Sequence, residues 1–236
     1  INFTSQFFSE LMSIAQEIAK IQSELAPYSS KLIVVTKTRS IDELKAVHAT
    51  GTLDFGENRV QEMVEKQAQL PADIRWHQIG HLQTNKVKYI APFIHLIHSV
   101  DSMSLLKEIN KQAEKNNRTI PCLLQMYIAQ EESKFGLDEN EAIELLNDPI
   151  LATFKNIEII GLMGMATFTE NQAQIKQEFE NLKRLFDSFK SQELGTESGR
   201  VKWQEISMGM SGDYLLAAQS GSTMVRVGSA IFGPRA

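Results

Sequence analysis

Cysteine is almost absent from this chain of 236 residues, since Cys122 is its single example. An internal disulfide is therefore excluded, and with it the class of small, disulfide-rich secreted proteins. The opening sequence INFTSQFFSE has neither the basic flank nor the long apolar core of a signal peptide. No apolar run approaches the roughly 18 residues that a membrane span requires. We expect a cytoplasmic protein with no membrane partner.

Long basic clusters are also missing, and the longest is the tripeptide KTR at 37–39. The net charge is -5 and the sequence pI is about 5.6. We expect no nucleic-acid partner, because proteins that bind nucleic acids carry a basic patch. Nucleotide signatures are absent too, since GHLQTNK lacks the second glycine and the Ser/Thr of a P-loop and no GxGxxG occurs.

Histidine spacing gives little support for a metal site. His77 and His81 are four residues apart, and His95 and His98 are three apart. His77 lies in a strand-like run, where a four-residue step does not pair two side chains as it does on a helix. No HExxH motif or cysteine cluster accompanies these pairs. We predict no metal site.

The sequence does contain a regular alternation of strand-like and helix-like stretches. Parallel strands need a crossover between them, usually a helix, and strands covered by helices are apolar on both faces. Most of the strand-like runs have this character, and there are eight of them: KLIVVTK (31–37), LDFGEN (53–58), IRWHQIG (74–80), IHLIHSV (94–100), PCLLQMYI (121–128), IEIIGLMGM (157–165), VKWQEISMG (201–209) and MVRVGSAIFG (224–233). They predict an α/β fold, a single (β/α)8 TIM-type barrel. An open doubly wound sheet is the alternative, but the number of strands favours the barrel.

An extra helix is predicted before the first strand. Its apolar residues form one stripe at steps of four and three: Phe7, Leu11, Ile14, Ile18, Ile21 and Leu25. Pro27 helps to end it. We interpret residues 1–27 as an addition to one domain that spans 1–236, because no linker or low-complexity tract divides the chain.

Two later helix starts are marked by the spacing of a capping box. Ser40 precedes Glu43 by three residues, and Asp138 precedes Glu141 by three. In a capping box the first side chain accepts from the backbone of the fourth residue, whose own side chain accepts in return. We therefore predict helices that start directly after Ser40 and Asp138.

Polar residues gather at the predicted carboxyl ends of the strands, where barrels of this type form their sites. Lys37 ends the first run. One interpretation is a strand-end lysine whose ammonium reaches water. The other is an amine partly desolvated at the barrel mouth, where loss of hydration favours the uncharged form that attacks a carbonyl. Under the second interpretation Lys37 is a Schiff-base lysine.

A phosphate site is predicted after strands seven and eight. Ser211 and Gly212 follow strand seven and precede a helix, whose first backbone N–H groups attract anions. An ordinary helix cap at Ser211 is the alternative. Gly228 and Ser229 lie beside them in a closed barrel, and these two loops are a frequent phosphate site. An amine, a phosphate cradle and the nearby Arg226 are the parts needed to hold pyridoxal 5'-phosphate (PLP).

Seven motifs in order resemble those of the pyridoxal phosphate homeostasis protein family: VVTKTRS, FGENRVQE, WHQIGHLQTNK, HSVDS, GLMGM, SMGMSGDY and STMVRVGSAIFG. The similarity runs from about residue 31 to residue 233. The resemblance implies the barrel fold of the alanine racemase N-terminal domain, with PLP as the cofactor.

The resemblance also implies a role for each matched residue. Lys37 would form a Schiff base with PLP, and Arg226 would face the pyridine nitrogen. The phosphate would be received by Ser211, Gly212, Gly228 and Ser229, and the pocket would be lined by Asn58, His77, Met165 and Ser207. The family often has threonine where this chain has Ser229, which keeps the hydroxyl.

Arg226 also bears on chemistry, because a guanidinium does not give up its proton and a facing pyridine nitrogen would stay unprotonated. The ring would then be a weaker electron sink. Racemases with such an arginine add a tyrosine base from a second domain, which we do not expect here. The chain has four tyrosines, Tyr28, Tyr89, Tyr127 and Tyr214, and none can be assigned to this task from the sequence. Tyr127, near the end of strand five, is the nearest candidate.

We therefore expect a PLP-binding protein, without an assigned catalytic residue, that stores or delivers the cofactor and affects vitamin B6 and amino-acid metabolism. PLP-dependent apoenzymes are its candidate partners. A monomer is expected, because the racemase dimer relies on the second domain. The alternatives are a small PLP-dependent racemase-like enzyme and a phosphosugar-type barrel enzyme in which Lys37 forms an imine with its substrate.

Overall fold

The computed structural model describes residues 3–130 and 136–233, with side chains from residue 12 onward within these ranges. Eight strands close into a barrel in sequence order, and each is parallel to both neighbours. The predicted (β/α)8 barrel is confirmed. The open sheet is wrong, because β1 pairs with β8 as well as with β2.

The strands are shorter than the apolar runs that predicted them. They are β1 (Lys31–Val35), β2 (Asp54–Glu57), β3 (Arg75–Gln78), β4 (Leu96–Val100), β5 (Ile120–Met126), β6 (Ile157–Gly164), β7 (Val201–Ser207) and β8 (Met224–Val227). The predicted first strand extends two residues too far, because Arg39 donates its N–H to the Thr36 carbonyl and turns the chain. The predicted eighth strand also ends early, at Val227.

The helices of the described part lie mostly between consecutive strands. They are α1 (Phe3–Leu25), α2 (Ile41–Ala49), α3 (Val60–Gln67), α4 (Val87–Ile90), α5 (Met103–Lys115), α6 (Glu139–Asn147), α7 (Gln172–Ser191), α8 (Tyr214–Gln219) and α9 (Ser229–Phe232). Both predicted capping boxes are present, at Ser40 with Glu43 and at Asp138 with Glu141. Short 3-10 turns occupy Ala26–Tyr28, Thr84–Lys86, Pro149–Thr153 and Thr196–Ser198.

Helix α1 is the predicted addition before the first strand. The four residues of its apolar stripe that the structure describes are all buried: Ile14, Ile18, Ile21 and Leu25. The side chains of Phe7 and Leu11 lie outside the described residues. The helix packs against α2, α8 and α9, and Glu24 accepts a hydrogen bond from the Tyr214 hydroxyl of α8.

The apolar core has two separate parts. The larger cluster lies between the strands and the surrounding helices. The smaller one consists of five residues, each from a different strand: Ile33, Leu96, Leu123, Met163 and Met224. Side chains of a strand alternate between the two faces of the sheet, so this smaller cluster fills the barrel interior. Within the described residues, no helix combines the length and the apolar character needed to cross a membrane.

Gly161 allows β6 and β7 to approach closely. It pairs with Glu205 next to a shift of register, with φ at 154°. A Cβ at this position would lie 1.8 Å from the Glu205 carbonyl oxygen, far inside van der Waals contact. Only glycine therefore fits where these two strands meet.

We predict that Gly161→Ala lowers the free energy of unfolding by about 3 kcal/mol, because the methyl group must push β6 and β7 apart. Gly51→Ala is the matched control, since Gly51 also has positive φ, at 83°, but no atom within 4 Å of the added Cβ. Its backbone strain alone should cost about 1 kcal/mol. Urea denaturation measures both, and equal losses would contradict the steric explanation.

Candidate functional site

A cavity of 430 Å³ opens at the carboxyl ends of the strands. The loops after β1, β2, β6, β7 and β8 contribute to its wall, which is the position expected for a site in a parallel barrel. Eight of the ten residues predicted from the sequence line it: Lys37, Asn58, Met165, Ser211, Gly212, Arg226, Gly228 and Ser229. The other two, His77 and Ser207, are buried in the barrel and are not in the lining.

The turn that carries Lys37 is anchored on both sides. Thr36 donates its hydroxyl to Glu57 Oε1 over 2.6 Å, at the end of β2. Thr38 has a left-handed φ of 65° and donates its N–H to the Glu62 carboxylate of α3. Because Lys37 lies between two anchored residues, β2 and α3 decide where its side chain enters the cavity.

A buried lysine, Lys66 of α3, joins these anchors. Its Nζ donates to the Thr36 carbonyl oxygen at 2.7 Å, to Glu57 Oε1 at 2.8 Å and to Glu62 Oε1 at 2.6 Å. All three of its donors are therefore used. Burial raises the pKa of Glu57, while the hydrogen bond and the charge of Lys66 oppose that rise.

The predicted phosphate cradle brings two loops together. Ser211 Oγ accepts from the N–H of Gly228 at 3.1 Å and from the N–H of Ala230 at 3.3 Å. Ser211 does not cap α8, which begins at Tyr214, so the alternative of an ordinary helix cap is wrong. These two N–H groups hold the Ser211 oxygen, which leaves its hydroxyl hydrogen free to donate to an anion at this edge of the cavity.

Arg226 brings a positive charge into the wall of the cavity. Its side chain is buried, with Nη1 donating to Ser207 Oγ at 2.6 Å and Nη2 donating to the Gly164 carbonyl oxygen at 3.0 Å. Burial lowers the pKa of Arg226 to about 10, and the charge of Asp213 opposes the change. The guanidinium therefore remains a cation at neutral pH.

His77 and Ser207 take part in a hydrogen-bonded chain inside the barrel. His77 Nδ1 lies 2.9 Å from His98 Nε2, and His98 Nδ1 lies 2.9 Å from Ser207 Oγ. Through Ser207 this chain reaches Arg226. The two residues therefore support a residue of the lining, whereas the sequence had predicted that they form the lining.

The histidines of the two spaced pairs make other contacts in the structure. His81 lies beside Asp101, with Nδ1 and Oδ2 3.4 Å apart. His77 and His95 do group with Asp54, with possible ligand atoms within 4.8 Å of one another. However, Arg75 already donates to both carboxylate oxygens of Asp54. The guanidinium of Arg75 therefore neutralises that carboxylate. The absence of a metal site stays a prediction.

Sequence reasoning missed about half of the lining: Val35, Arg39, Ile79, Ala166, Thr167, Phe168, Thr169, Gln172, Ile175, Met210 and Asp213. Arg39, Met210 and Asp213 belong to the quoted motifs, so proximity to Lys37 and Ser211 could have indicated them. Gln172 and Ile175 come from α7, which no sequence pattern connects with the barrel mouth.

Tyrosine does not contribute to the part of the lining that the structure describes. Tyr214 is bonded to Glu24, and burial, followed by the bond to Glu24, raises its pKa to about 12. Tyr28 and Tyr89 are exposed. Tyr127 directly follows β5 and is not a lining residue either.

Residues 10–236 match the family described as alanine racemase, N-terminal domain. A pyridoxal phosphate homeostasis protein of Aquifex aeolicus is 37% identical over 207 residues, which cover 87% of this chain and 87% of that protein. The chain belongs to the pyridoxal phosphate homeostasis protein family. The resemblance seen in the motifs is thereby confirmed.

Solved structures of this family have the same barrel. PipY of Synechococcus elongatus without PLP is 33% identical, with a TM-score of 0.84 over 93% of this chain and 100% of that chain. PipY with PLP bound is 34% identical, with a TM-score of 0.80 over the same shares. The family's barrel is thus shared over nearly the whole of both chains.

We predict that Lys66→Met lowers the free energy of unfolding by about 3–5 kcal/mol, because it leaves Glu57 as a buried charge without its cation. Lys66→Met combined with Glu57→Gln should recover most of that loss, since no fully buried charge then lacks a cation and Glu62 is partly exposed and still accepts from Thr38. Lys183→Met serves as the control, because it breaks only an exposed pair with Asp187 and should cost less than about 1 kcal/mol. Urea denaturation gives all three values. A double variant as unstable as Lys66→Met would contradict this account of the pair.

Proposed function

We propose that this protein binds PLP in the cavity at the barrel mouth and acts in PLP homeostasis, storing the cofactor or delivering it. The observation that carries the proposal is the presence of Lys37, the Ser211 cradle and Arg226 around one cavity. PLP has an aldehyde, a phosphate and a pyridine nitrogen, and each of these groups finds a matching partner. The name of the Aquifex relative and the PLP-bound PipY structure point to the same cofactor.

Bound PLP supplies an aldehyde that a lysine amine can hold as a Schiff base, and Lys37 is the lysine that lines the described cavity. The anchored turn around it restricts where the amine can reach. We assign Lys37 as the covalent anchor of the cofactor.

The phosphate is assigned to the loops after β7 and β8. Ser211 offers a hydroxyl whose oxygen is held in place by the N–H groups of Gly228 and Ala230. Gly212 has open space on its Cβ side, so an anion can approach its backbone closely. Ser229 adds a second hydroxyl at the same edge of the cavity.

Arg226 is assigned to the pyridine nitrogen. A guanidinium only donates hydrogen bonds, so it keeps a facing ring nitrogen unprotonated and weakens the ring as an electron sink. Asn58 and Met165 complete the wall around the ring. This arrangement favours holding the cofactor over carbanion chemistry.

A storage role is favoured over the racemase-like alternative, because the described lining offers no tyrosine as a second acid or base. We further propose a monomer in the cytoplasm, with PLP-dependent apoenzymes as recipients of the cofactor.

We predict that Lys37→Ala abolishes the covalent PLP adduct. Protein mixed with PLP is reduced with borohydride, and mass spectrometry of its peptides locates the pyridoxyl group. Lys31→Ala is the matched control, because Lys31 lies at the other end of the same strand and pairs with Glu205 on the surface. It should keep the full adduct. A reduced adduct that survives Lys37→Ala at another lysine would overturn the assignment.

We predict that the PLP-loaded protein exchanges the Cα hydrogen of amino acids for deuterium no faster than free PLP does. The reason is that the described cavity lacks a tyrosine base. Proton NMR of a panel of amino acids in deuterium oxide measures the exchange, with Lys37→Ala and free PLP as controls. Lys37-dependent exchange well above that of free PLP would instead favour the racemase-like enzyme.

A further inference from the structure

Five polar side chains cross the interior of the barrel in one continuous hydrogen-bonded chain. From the cavity downward they are Arg226 of β8, Ser207 of β7, His98 of β4, His77 of β3 and Asp54 of β2. The four contacts measure 2.6, 2.9, 2.9 and 3.0 Å. Asp54 is the first residue of its strand, so the chain leads from the amino-terminal end of the barrel to the cavity at the other end.

The two ends of the chain are chemically fixed. Arg226 can only donate, so Ser207 Oγ must accept from it. Burial by itself raises the pKa of Asp54, but the hydrogen bonds and charges of Arg75 and His77 outweigh it and hold that pKa below its usual range. The carboxylate is therefore ionised and can only accept, which places a proton on His77 Nε2.

These ends determine every proton between them. Burial lowers the pKa of both His77 and His98, so each ring is neutral at neutral pH and carries a single proton. With its proton on Nε2, His77 accepts at Nδ1 from His98 Nε2–H. His98 then accepts at Nδ1 from the Ser207 hydroxyl. Ser207 thus accepts from Arg226 and donates to His98, and each of the four contacts joins one donor to one acceptor.

We propose that Asp54, His77 and His98 are positioning residues of the cofactor site, which act through this one-directional chain to hold Ser207 as the acceptor for Arg226. The chain thereby sets the orientation of the guanidinium that faces the pyridine nitrogen. The inference rests on the proposed PLP-binding function and extends it to a carboxylate at the opposite end of the barrel. The Arg226 Nη2 contact with Gly164 provides the second point that defines the plane of the group.

Reversal of the chain would disturb this arrangement. If His98 carried its proton on Nδ1, Ser207 Oγ would receive N–H groups from both His98 and Arg226. Its own hydroxyl proton would then need another acceptor. Its bond to Arg226 would weaken, because a hydroxyl that no longer donates to a neighbour in the chain is a poorer acceptor. The hydrogen bond from Arg226 to Ser207 therefore depends on the direction of the donors in the chain as well as on the presence of its residues.

Asp54→Asn is the variant that can reverse the chain without changing its size. Oδ1 of Asp54 accepts from both Arg75 Nε and His77, and Oδ2 accepts from Arg75 Nη2. In either orientation the amide NH₂ of the variant meets one donor of Arg75. With NH₂ at the Oδ1 position, His77 Nε2 must accept, so the proton of His77 moves to Nδ1 and that of His98 follows. With oxygen at that position, the chain keeps its direction.

The test reads the ring tautomers in protein without PLP. Two-bond ¹H–¹⁵N spectra of histidine-labelled protein at neutral pH should show Nε2–H rings for His77 and His98 in the wild type, and in Asp54→Asn they show which way the chain runs. If the variant has Nδ1–H rings, its PLP dissociation constant should rise about tenfold, the usual effect of weakening a hydrogen bond to a charged group. If it keeps Nε2–H rings, the constant should match that of the wild type. Asp73→Asn is the control, because Asp73 makes a similar contact with His48, at 2.9 Å, on the surface. It should change neither quantity.

An Nδ1–H or doubly protonated ring at either position in the wild type would overturn the proposal, even if Asp54→Asn failed to fold. So would a tautomer switch in Asp54→Asn with an unchanged PLP dissociation constant. Ser207→Ala and Ser207→Thr add a second comparison, in which only the hydroxyl-bearing variant should retain tight PLP binding. Failure of the wild-type protein to form the Lys37 adduct would contradict the proposed function alone, because the tautomers are read without PLP.

Discussion

Closure of the parallel barrel is the constraint on which the rest of this structure depends. Once β8 pairs with β1, each strand has one face toward the interior and one toward the helices, and all carboxyl ends meet at one mouth. Val35 follows Ile33 by two residues, so the alternation that buries Ile33 in the barrel also brings the end of β1 to the cavity, where the anchored turn presents Lys37. Arg226 follows Met224 in the same way on the last strand.

Buried charge is compensated separately on the two faces of the barrel wall. Outside the wall, Lys66 neutralises Glu57 and Glu62 and anchors the turn that carries Lys37. Inside it, a chain of neutral histidines and a serine connects Arg226 with Asp54. Isolated buried charges are costly, and these contacts meet that cost while fixing geometry. Each network ends at a residue assigned to the cofactor, one at the aldehyde and one at the pyridine nitrogen.

Membership in the pyridoxal phosphate homeostasis protein family and the composition of the cavity point to a protein that holds a reactive cofactor and limits its reactivity. The lysine assigned as the anchor of PLP lies in a turn that its neighbours hold in place. The arginine assigned to the ring limits its capacity as an electron sink. A carrier benefits from both properties, because it must keep the aldehyde from other amines without consuming amino acids.

The sequence by itself determined the fold class, the number of strands, the capping boxes and eight of the residues that line the cavity. The fold and the caps follow from local signals, namely periodicity and turn residues. The lining residues follow from polar groups at strand ends together with the resemblance to the family. It did not determine where β1 and β8 end, because a carbonyl of Thr36 and a hydroxyl of Ser211 capture backbone N–H groups there. Only the tertiary structure decided that His77 and Ser207 lie beneath the cavity and that Gln172 of α7 lines it. These placements arise from contacts between residues far apart in the chain, and the periodicity of a sequence does not tell which distant residues come together.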